Sequence, residues 1–203
     1  MNDIGVIGGA DGATMIVTSG SIGVAILKAF SAALTVILFF SYLVFSRKTS
    51  KEGKAVCLAL IVAACVWADQ NIKSLVVNSM QLGETQRFLP PLLQLTRVHN
   101  YGAAWSSFAG QKWLLLGVTG VILAVVLWVL ARRIVRHPLG ICACCLILSG
   151  GIGNILDRLR LGYVVDMLHF QFWPSYPTFN VADVCIVSGA ILGAIYYLSL
   201  IHI

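Results

Sequence analysis

The sequence predicts an all-α integral membrane protein that carries a small sheet outside the bilayer. Hydrophobic residues make up 59% of its 203 residues, charged residues make up only 11%, and the mean hydropathy is +0.89. This balance leaves too little polar surface to cover a water-soluble globule. The apolar residues also form runs whose lengths approach the roughly 20 residues that a helix needs to cross the hydrocarbon of a bilayer.

Five apolar runs are the candidate membrane spans, at residues 29–45, 55–68, 113–131, 139–156 and 184–201. The second run is short, but the residues that follow Asp69 are compatible with a helix and extend it. Asp3 and Asp11 stand where a cleavable secretory signal would carry basic residues. We therefore expect the N-terminal span to remain part of the protein.

Basic residues predict how these spans are oriented. They cluster in two short loops, at residues 47–54 and 132–136, and such loops face the cytoplasm by the positive-inside rule. Five alternating spans then put residues 69–112 and 157–183 on the outer side, together with the N-terminal tail. The net charge of +6 therefore needs no nucleic-acid partner, because topology signals and attraction to anionic lipids account for it.

The two outer segments differ in their predicted structure. Residues 88–107 mix β-branched and apolar residues with polar ones in alternation, which predicts a small external sheet. Residues 158–178 contain Trp173, Tyr176 and two prolines. They are predicted to form a loop at the membrane interface, where aromatic side chains are favoured.

Two aspartates that flank this loop, Asp166 and Asp183, are the candidate catalytic residues. A carboxylate costs about 2.5 to 3.5 kcal/mol at the centre of a membrane helix, so acids in or near lipid usually mark a working site. Asp166 has no neighbouring cation in the sequence, and burial should favour its protonated form. Asp183 stands three residues after Asn180 at the start of the last span, where the helix dipole favours a charged carboxylate. A helix cap explains Asn180 and Asp183 equally well.

Other polar residues near the spans have structural explanations beside functional ones. Asp69 and Lys73 share one helix face, as an interfacial ion pair with a snorkelling lysine would. The small residues from Asn100 onward suit either a turn or the close approach of a peptide backbone. The glycines at residues 150–153 are predicted to be helix-packing contacts, and Asp157 is expected to be held ionised by the adjacent Arg158.

The sequence contains no recognisable metal-binding motif. The six cysteines lie in or beside apolar runs without a metal-ligand spacing, so buried free thiols are expected. The four histidines are scattered, and no HExxH motif occurs.

Five polar motifs resemble, in their order and spacing, those of the lipoprotein signal peptidase family, also called signal peptidase II. They read DQNIK at 69–73, NYGAAWS at 100–106, GGIGNILDR at 150–158, VVD at 164–166 and FNVAD at 179–183. The resemblance covers about residues 55–200 and implies a four-helix transmembrane core with an external β-cradle. Residues 55–203 would then be the protease domain, and residues 1–54 an extension with a transmembrane helix and a basic cytoplasmic loop.

The resemblance implies a membrane aspartic endopeptidase in which Asp166 and Asp183 form the catalytic dyad. Neither a metal nor an organic cofactor is expected. The other motif residues would shape and support the site: Asp69, Lys73, Asn100, Gly102, Asn154, Asp157, Arg158, Asn180 and Ala182. Two positions depart from the family pattern, since Trp105 stands where Phe is common and Met167 where Phe or Ile is usual. These apolar exchanges would alter substrate fit more than chemistry.

The resemblance also implies a substrate and a location. The family cleaves diacylglyceryl-modified prolipoproteins immediately before the lipid-modified cysteine. The expected partners are these prolipoproteins and membrane lipids, with no nucleic acid, and the expected state is a monomer. The expected location is the bacterial cytoplasmic membrane, crossed several times, with the active site near the outer face.

Two rival interpretations remain open at the level of sequence. Residues 8–14, GGADGAT, are similar to a motif of the β-subunit of sodium-translocating decarboxylases, with Ala13 where that family has Pro. A transporter or channel component would, however, need ionisable groups through the depth of the membrane, whereas the acids here lie toward one side. An inactive lipoprotein-binding relative is disfavoured because both aspartates are present.

The N-terminal extension is predicted first as a plain anchor, with a fused remnant or a regulatory segment as alternatives.

Overall fold

Five long helices make up most of the computed structural model, which describes residues 19–46, 48–103, 105 and 107–201. They are α1 Ser19–Phe45, α2 Lys51–Ser79, α3 Lys112–Ala131, α4 Pro138–Arg160 and α5 Val181–Ile201. Each is long and apolar enough to cross a membrane, which confirms that the five apolar runs form helices. The motif at residues 8–14 lies outside the described residues, as do Arg47, Ala104 and Ser106 of the segments named above.

Local sequence signals explain where two of these helices begin. Ser50 accepts a hydrogen bond from the backbone N–H of Gly53 at 3.0 Å and caps α2. Pro138 opens α4, where its missing N–H costs nothing, and the His137 ring accepts from the N–H of Leu139 at 3.2 Å. The helix α2 then runs ten residues past Asp69 to Ser79, as the extended second span predicted.

A three-stranded antiparallel sheet lies at one end of the helix bundle, in the order β1 Thr85–Leu89, β2 Leu93–Asn100 and β3 Val164–Phe170. In the pairing of β2 with β3, Val98 lies opposite Asp166 and Asn100 opposite Val164. The predicted external sheet is thus confirmed, with a third strand that comes from much later in the chain.

The prediction of an unbroken loop over residues 158–178 was wrong. The helix α4 continues to Arg160, and β3 occupies residues 164–170. All of Val164 to Leu168 is buried, so the strand lacks the alternation that marks a half-exposed strand. The aromatic and proline residues that indicated a loop come only after the strand has ended.

Small residues let the helices approach one another closely around α4, which packs against α2, α3 and α5. A Cβ on Gly150 would overlap the carbonyl oxygen of Ala182, and one on Gly153 would lie 2.6 Å from a carboxylate oxygen of Asp69. The predicted role of these glycines as packing contacts is confirmed. The cysteines are all free thiols, but only Cys57, Cys65 and Cys145 are buried as expected, whereas Cys144 and Cys185 are half-buried and Cys142 is exposed.

An apolar cluster packs the sheet onto the ends of α1 and α2, and we call it the sheet-end cluster. Its buried members come from α1, α2, the sheet and the start of α5: Ile22, Ile26, Ile72, Val76, Met80, Leu95, Val165, Met167, Leu168 and Val181. The cluster lies at the end of the bundle away from the two basic loops, because those loops join the opposite ends of the helices. It fixes the sheet relative to the helices that carry the polar motifs.

Candidate active site

Asp166 and Asp183 line the same cavity, which has a volume of about 440 Å³. Asp166 comes from β3, and Asp183 from the first turn of α5. The segment between them folds back along the strand, because Leu168 and Phe179 exchange backbone hydrogen bonds of 2.7 and 2.9 Å. This return brings Asn180 beside Asp166, so the two aspartates that the sequence singled out do meet at one site.

The carboxylate of Asp183 is held by a capping box at the start of α5. The backbone N–H of Asn180 donates to Asp183 Oδ2 at 3.1 Å, and the N–H of Asp183 donates to Asn180 Oδ1 at 2.9 Å. Asn154 Nδ2 donates to the other oxygen, Oδ1, at 2.8 Å. Asp183 therefore takes part in the helix cap and also lines the cavity, and both of its carboxylate oxygens accept hydrogen bonds.

Asp166 is almost completely buried, with 1% of its surface exposed. Asn180 Nδ2 donates to its Oδ1 at 2.6 Å, and Asn100 Nδ2 donates to its Oδ2 at 3.0 Å. Burial and, to a lesser extent, the nearby charge of Asp183 together raise the pKa of Asp166 to about 7, against the opposing effect of the two amides. The direction agrees with the expectation from the sequence that Asp166 favours its protonated form.

A chain of amides joins the two carboxyl groups. Asn180 Nδ2 donates to Asn154 Oδ1 at 3.2 Å as well as to Asp166. Lys73 Nζ donates to the same Asn154 oxygen at 3.2 Å, and a lysine ammonium can only donate. Its charge therefore fixes which end of the Asn154 amide carries the oxygen, so the amide N–H₂ must face Asp183.

Lys73 is buried between two further carboxylates. Its Nζ lies 2.8 Å from Asp69 Oδ2 and 2.9 Å from Asp157 Oδ2, and each of the three side chains is at most 3% exposed. The interpretation of Lys73 as a snorkelling residue was therefore wrong, because helix packing closes over it. The cation paired with Asp157 is Lys73 and not the adjacent Arg158, which the sequence had suggested.

These two carboxylates also hold the backbone next to each cavity aspartate. Asp69 Oδ1 accepts from the N–H of Ala182, one residue before Asp183, at 3.0 Å. Asp157 Oδ2 accepts from the N–H of Val165, one residue before Asp166, at 3.2 Å. The ion triad of Lys73, Asp69 and Asp157 thus ties α5 and β3 to α2 and α4.

Gln70 completes this network, although the sequence did not single it out as a site residue. Its Nε2 donates to Asp157 Oδ1 at 2.8 Å and approaches Asp69 Oδ2 at 3.2 Å and Gly153 O at 3.3 Å. The sequence did contain a signal for this role, because Gln70 is a polar residue next to Asp69 in an otherwise apolar span.

Arg158 fixes the loop that follows β2. Its Nη2 donates to the carbonyl of Gly102 at 2.8 Å, and its Nη1 reaches the carbonyl of Asn154 at 3.5 Å. The N–H of Gly102 donates to Asn100 Oδ1 at 2.9 Å. Because that oxygen is occupied, the Asn100 amide presents its N–H₂ to Asp166.

The two departures from the family pattern lie in different environments. Trp105 lines the cavity and stands 5.7 Å, ring centre to ring centre, from Tyr176. Met167 is fully buried in the sheet-end cluster and does not line the cavity. Of the two, only Trp105 is in a position to contact a molecule bound in the cavity.

Thr119, Ile186 and Val187 also line the cavity, and nothing in the sequence distinguished them from other span residues.

The fold and the site together define a class of protein. A bundle of apolar helices holds two aspartates in one cavity, one with a raised pKa and one with both oxygens hydrogen-bonded. Two carboxyl groups in one cavity, one of them with a raised pKa, are the feature that defines an aspartic protease site.

Comparisons with known proteins identify the family within that class. The family described as Signal peptidase (SPase) II matches residues 61–199. A lipoprotein signal peptidase from Lactococcus lactis subsp. lactis is 42% identical over 139 residues, which cover 68% of this chain and 91% of the relative. One from Enterococcus faecalis is 41% identical over 137 residues, covering 68% of this chain and 84% of the relative.

Two solved structures of bacterial membrane enzymes have a fold similar to that of this chain. A bacterial membrane enzyme determined by the in meso method at 2.3 Å resolution aligns with a TM-score of 0.66 and 29% identity, covering 70% of this chain and 87% of that one. A second, at 1.9 Å resolution, aligns with a TM-score of 0.64 and the same identity, covering 70% and 92%. The chain belongs to the signal peptidase II family.

Proposed function

We propose that this protein removes signal peptides from diacylglyceryl-modified prolipoproteins, cleaving before the lipid-modified cysteine, with Asp166 and Asp183 as its catalytic pair. As a member of the signal peptidase II family it is an aspartic endopeptidase of the membrane. The single observation that carries the assignment of the pair is that both aspartates line one cavity, joined through the amides of Asn154 and Asn180.

In the proposed mechanism, Asp183 is the base and Asp166 the acid. Both oxygens of Asp183 accept hydrogen bonds, which hold it in place as a proton acceptor, while burial raises the pKa of Asp166 and favours its protonated form. Asp183 takes a proton from a water molecule as the water oxygen attacks the scissile carbonyl carbon, and Asp166 gives its proton to the carbonyl oxygen. The protonated Asp183 then gives its proton to the leaving amide nitrogen as the C–N bond breaks. Asp166 recovers its proton from a hydroxyl of the collapsing intermediate, which restores the starting state.

Supporting residues are proposed to keep these two carboxyls in place. Asn100 and Asn180 orient Asp166, while Asn154 orients Asp183. Arg158 and Gly102 hold the loop that carries the Asn100 amide. The ion triad of Lys73, Asp69 and Asp157 fixes the strand and helix behind the pair, through the backbone of Val165 and Ala182.

We further propose the bacterial cytoplasmic membrane as the location, with the site near its outer face. The loops at residues 46–50 and 132–137 join the helix ends opposite the sheet, and the basic residues there favour the cytoplasm. The protease domain is proposed to span residues 55–203 and to work as a monomer within membrane lipids. A transporter is disfavoured because the buried aspartates of the described residues gather at the sheet end of the bundle.

A cleavage assay tests this function. The purified full chain is given a synthetic peptide with a diacylglyceryl-modified cysteine, and the products are identified by mass spectrometry. We expect a cut immediately before the modified cysteine and none in the same peptide without the lipid. Asp166→Asn should leave the protein in the membrane and abolish the product. No cleavage by the unaltered protein would refute the function, and full cleavage by Asp166→Asn would refute the assignment of the pair.

A further inference from the structure

The helix α1 lies outside the residues that match the family, yet its buried side chains reach the sheet. The family match begins at residue 61, whereas α1 ends at Phe45. Ile22 and Ile26, on the first turns of α1, are 3% and 1% exposed. Farther along the same helix, Leu34 and Leu38 are 54% and 61% exposed, as expected for side chains that face lipid.

The strand β3 has a different environment on each of its two faces. Val164 and Asp166 line the cavity, while the alternate residues, Val165 and Met167, belong to the sheet-end cluster, as does Leu168 farther along the strand. Since successive side chains of a strand point to opposite faces, the cluster is the back of the strand that carries Asp166. Ile22 and Ile26 are members of that cluster.

The helix α1 also touches the far edge of the sheet. A Cβ on Gly23 would lie 3.4 Å from the ring of Phe88 in β1, so the helix backbone and this ring are in close contact. Phe88 packs in turn against the sheet-end cluster. The helix therefore packs against the edge of the sheet at Phe88, and its two isoleucines belong to the cluster behind β3.

We propose that α1 is a positioning element of the active site, which acts through Ile22 and Ile26 on the back of β3 and so holds Asp166. The proposal rests on the function proposed above. A plain membrane anchor would need only lipid-facing apolar residues, and the burial of the two isoleucines in the cluster behind Asp166 has no part in anchoring. Polar contacts hold the same strand through Asp157 and Val165, so α1 supplies an apolar part of its support.

Catalysis is sensitive to such support, because a misplacement of about 1 Å can cost roughly 100-fold in rate. Truncating the two isoleucines would leave a cavity in the cluster, which the surrounding side chains fill only in part. The strand could then shift while the catalytic groups and the substrate-binding cavity stay chemically intact. The loss should appear in kcat rather than in KM.

The experiment compares two pairs of substitutions in the full chain. Ile22→Ala with Ile26→Ala removes the buried pair, and Leu34→Ala with Leu38→Ala is the matched control on the lipid-facing side of the same helix. Cleavage of the diacylglyceryl-modified peptide is measured per folded molecule, with the folded fraction taken from size-exclusion chromatography in detergent. Hydrogen–deuterium exchange of the backbone amides of residues 164–170 is followed in the same samples.

We expect the buried pair of substitutions to lower kcat on the order of tenfold, with KM unchanged within about twofold, and to speed exchange in β3. The control pair should match the unaltered protein, and Ile22→Leu with Ile26→Leu should restore kcat because side-chain volume is kept. If the alanine pair does not fold, Ile26→Val alone should still lower kcat and speed exchange.

Three results would overturn the proposal. The first is that Ile22→Ala with Ile26→Ala changes neither kcat nor exchange, and the second is that Leu34→Ala with Leu38→Ala lowers kcat equally. The third applies where the alanine pair does not fold, and is that Ile26→Val matches the unaltered chain in both measurements. Cleavage by the unaltered protein reports on the proposed function separately. Exchange in β3 reports on α1 without any cleavage, so the failure of one proposal can be told from the failure of the other.

Discussion

Lys73→Met is the sharpest test of the ion triad behind the site. Methionine keeps a side chain of similar length but removes the charge. In the structure Lys73 makes three polar contacts, with Asp69 Oδ2 at 2.8 Å, Asp157 Oδ2 at 2.9 Å and Asn154 Oδ1 at 3.2 Å. Its removal leaves two carboxylates of 1% and 3% exposure without a cation between them.

The size of the effect follows from those contacts. Breaking a buried ion pair by removing one partner costs about 3 to 5 kcal/mol, because the remaining charge stays buried and uncompensated. Here Gln70 and the backbone N–H groups of Ala182 and Val165 still donate to the two carboxylates. We therefore expect the lower end of the range, about 3 kcal/mol, which corresponds to a fall of roughly 6 to 12 °C in the unfolding temperature.

Thermal unfolding in detergent, followed by tryptophan fluorescence, measures this change. Arg160→Met is the control, because it removes a positive charge from an exposed side chain near the end of the neighbouring helix. Adding Asp157→Asn to Lys73→Met should recover part of the lost stability, since one of the two unpaired charges is then absent. The reasoning would be refuted if Lys73→Met unfolded within about 2 °C of the control.

Three further outcomes are expected. Since Asp166 must be protonated to act as the acid and its pKa is raised to about 7, kcat/KM should fall as pH rises through that value; a profile flat from pH 6 to 9 would argue against this role. Gly150→Ala should lower the free energy of unfolding by about 1 to 3 kcal/mol, because its Cβ would overlap the carbonyl oxygen of Ala182. Its control is Gly117→Ala, which should leave the free energy of unfolding nearly unchanged, because an added Cβ there has no atom within 4 Å beyond the adjacent backbone of its own helix. Asn154→Leu, which leaves one oxygen of the Asp183 carboxylate without its donor, should lower kcat on the order of 10- to 100-fold in the peptide assay.

The sequence predicted the helices and both cavity aspartates, for identifiable physical reasons. A membrane span needs a long apolar run, which composition alone reveals. Acids in such a chain are costly enough to be few, so Asp166 and Asp183 stood out, and the motif spacing related them to the supporting residues.

What the sequence could not show depends on long-range packing. The strand β3 is buried on both faces, by the cavity and by the sheet-end cluster, and so its residues carry no alternating pattern. The burial of Lys73 depends on acids that lie 4 residues before it and 84 residues after it in the chain. The contribution of α1 to the cluster comes from two isoleucines that, in sequence, look like any other residues of a membrane helix.

The most direct test of the central claim is the cleavage rate of Asp166→Asn, Asp183→Asn and the doubly substituted protein. If the two carboxyls act as one unit, each single substitution should remove essentially all peptidase activity, on the order of 1,000-fold or more, and the double substitution should cost no more than either one. All three proteins should remain folded in the membrane. Substantial cleavage by either single variant, with the other inactive, would contradict a shared acid–base pair.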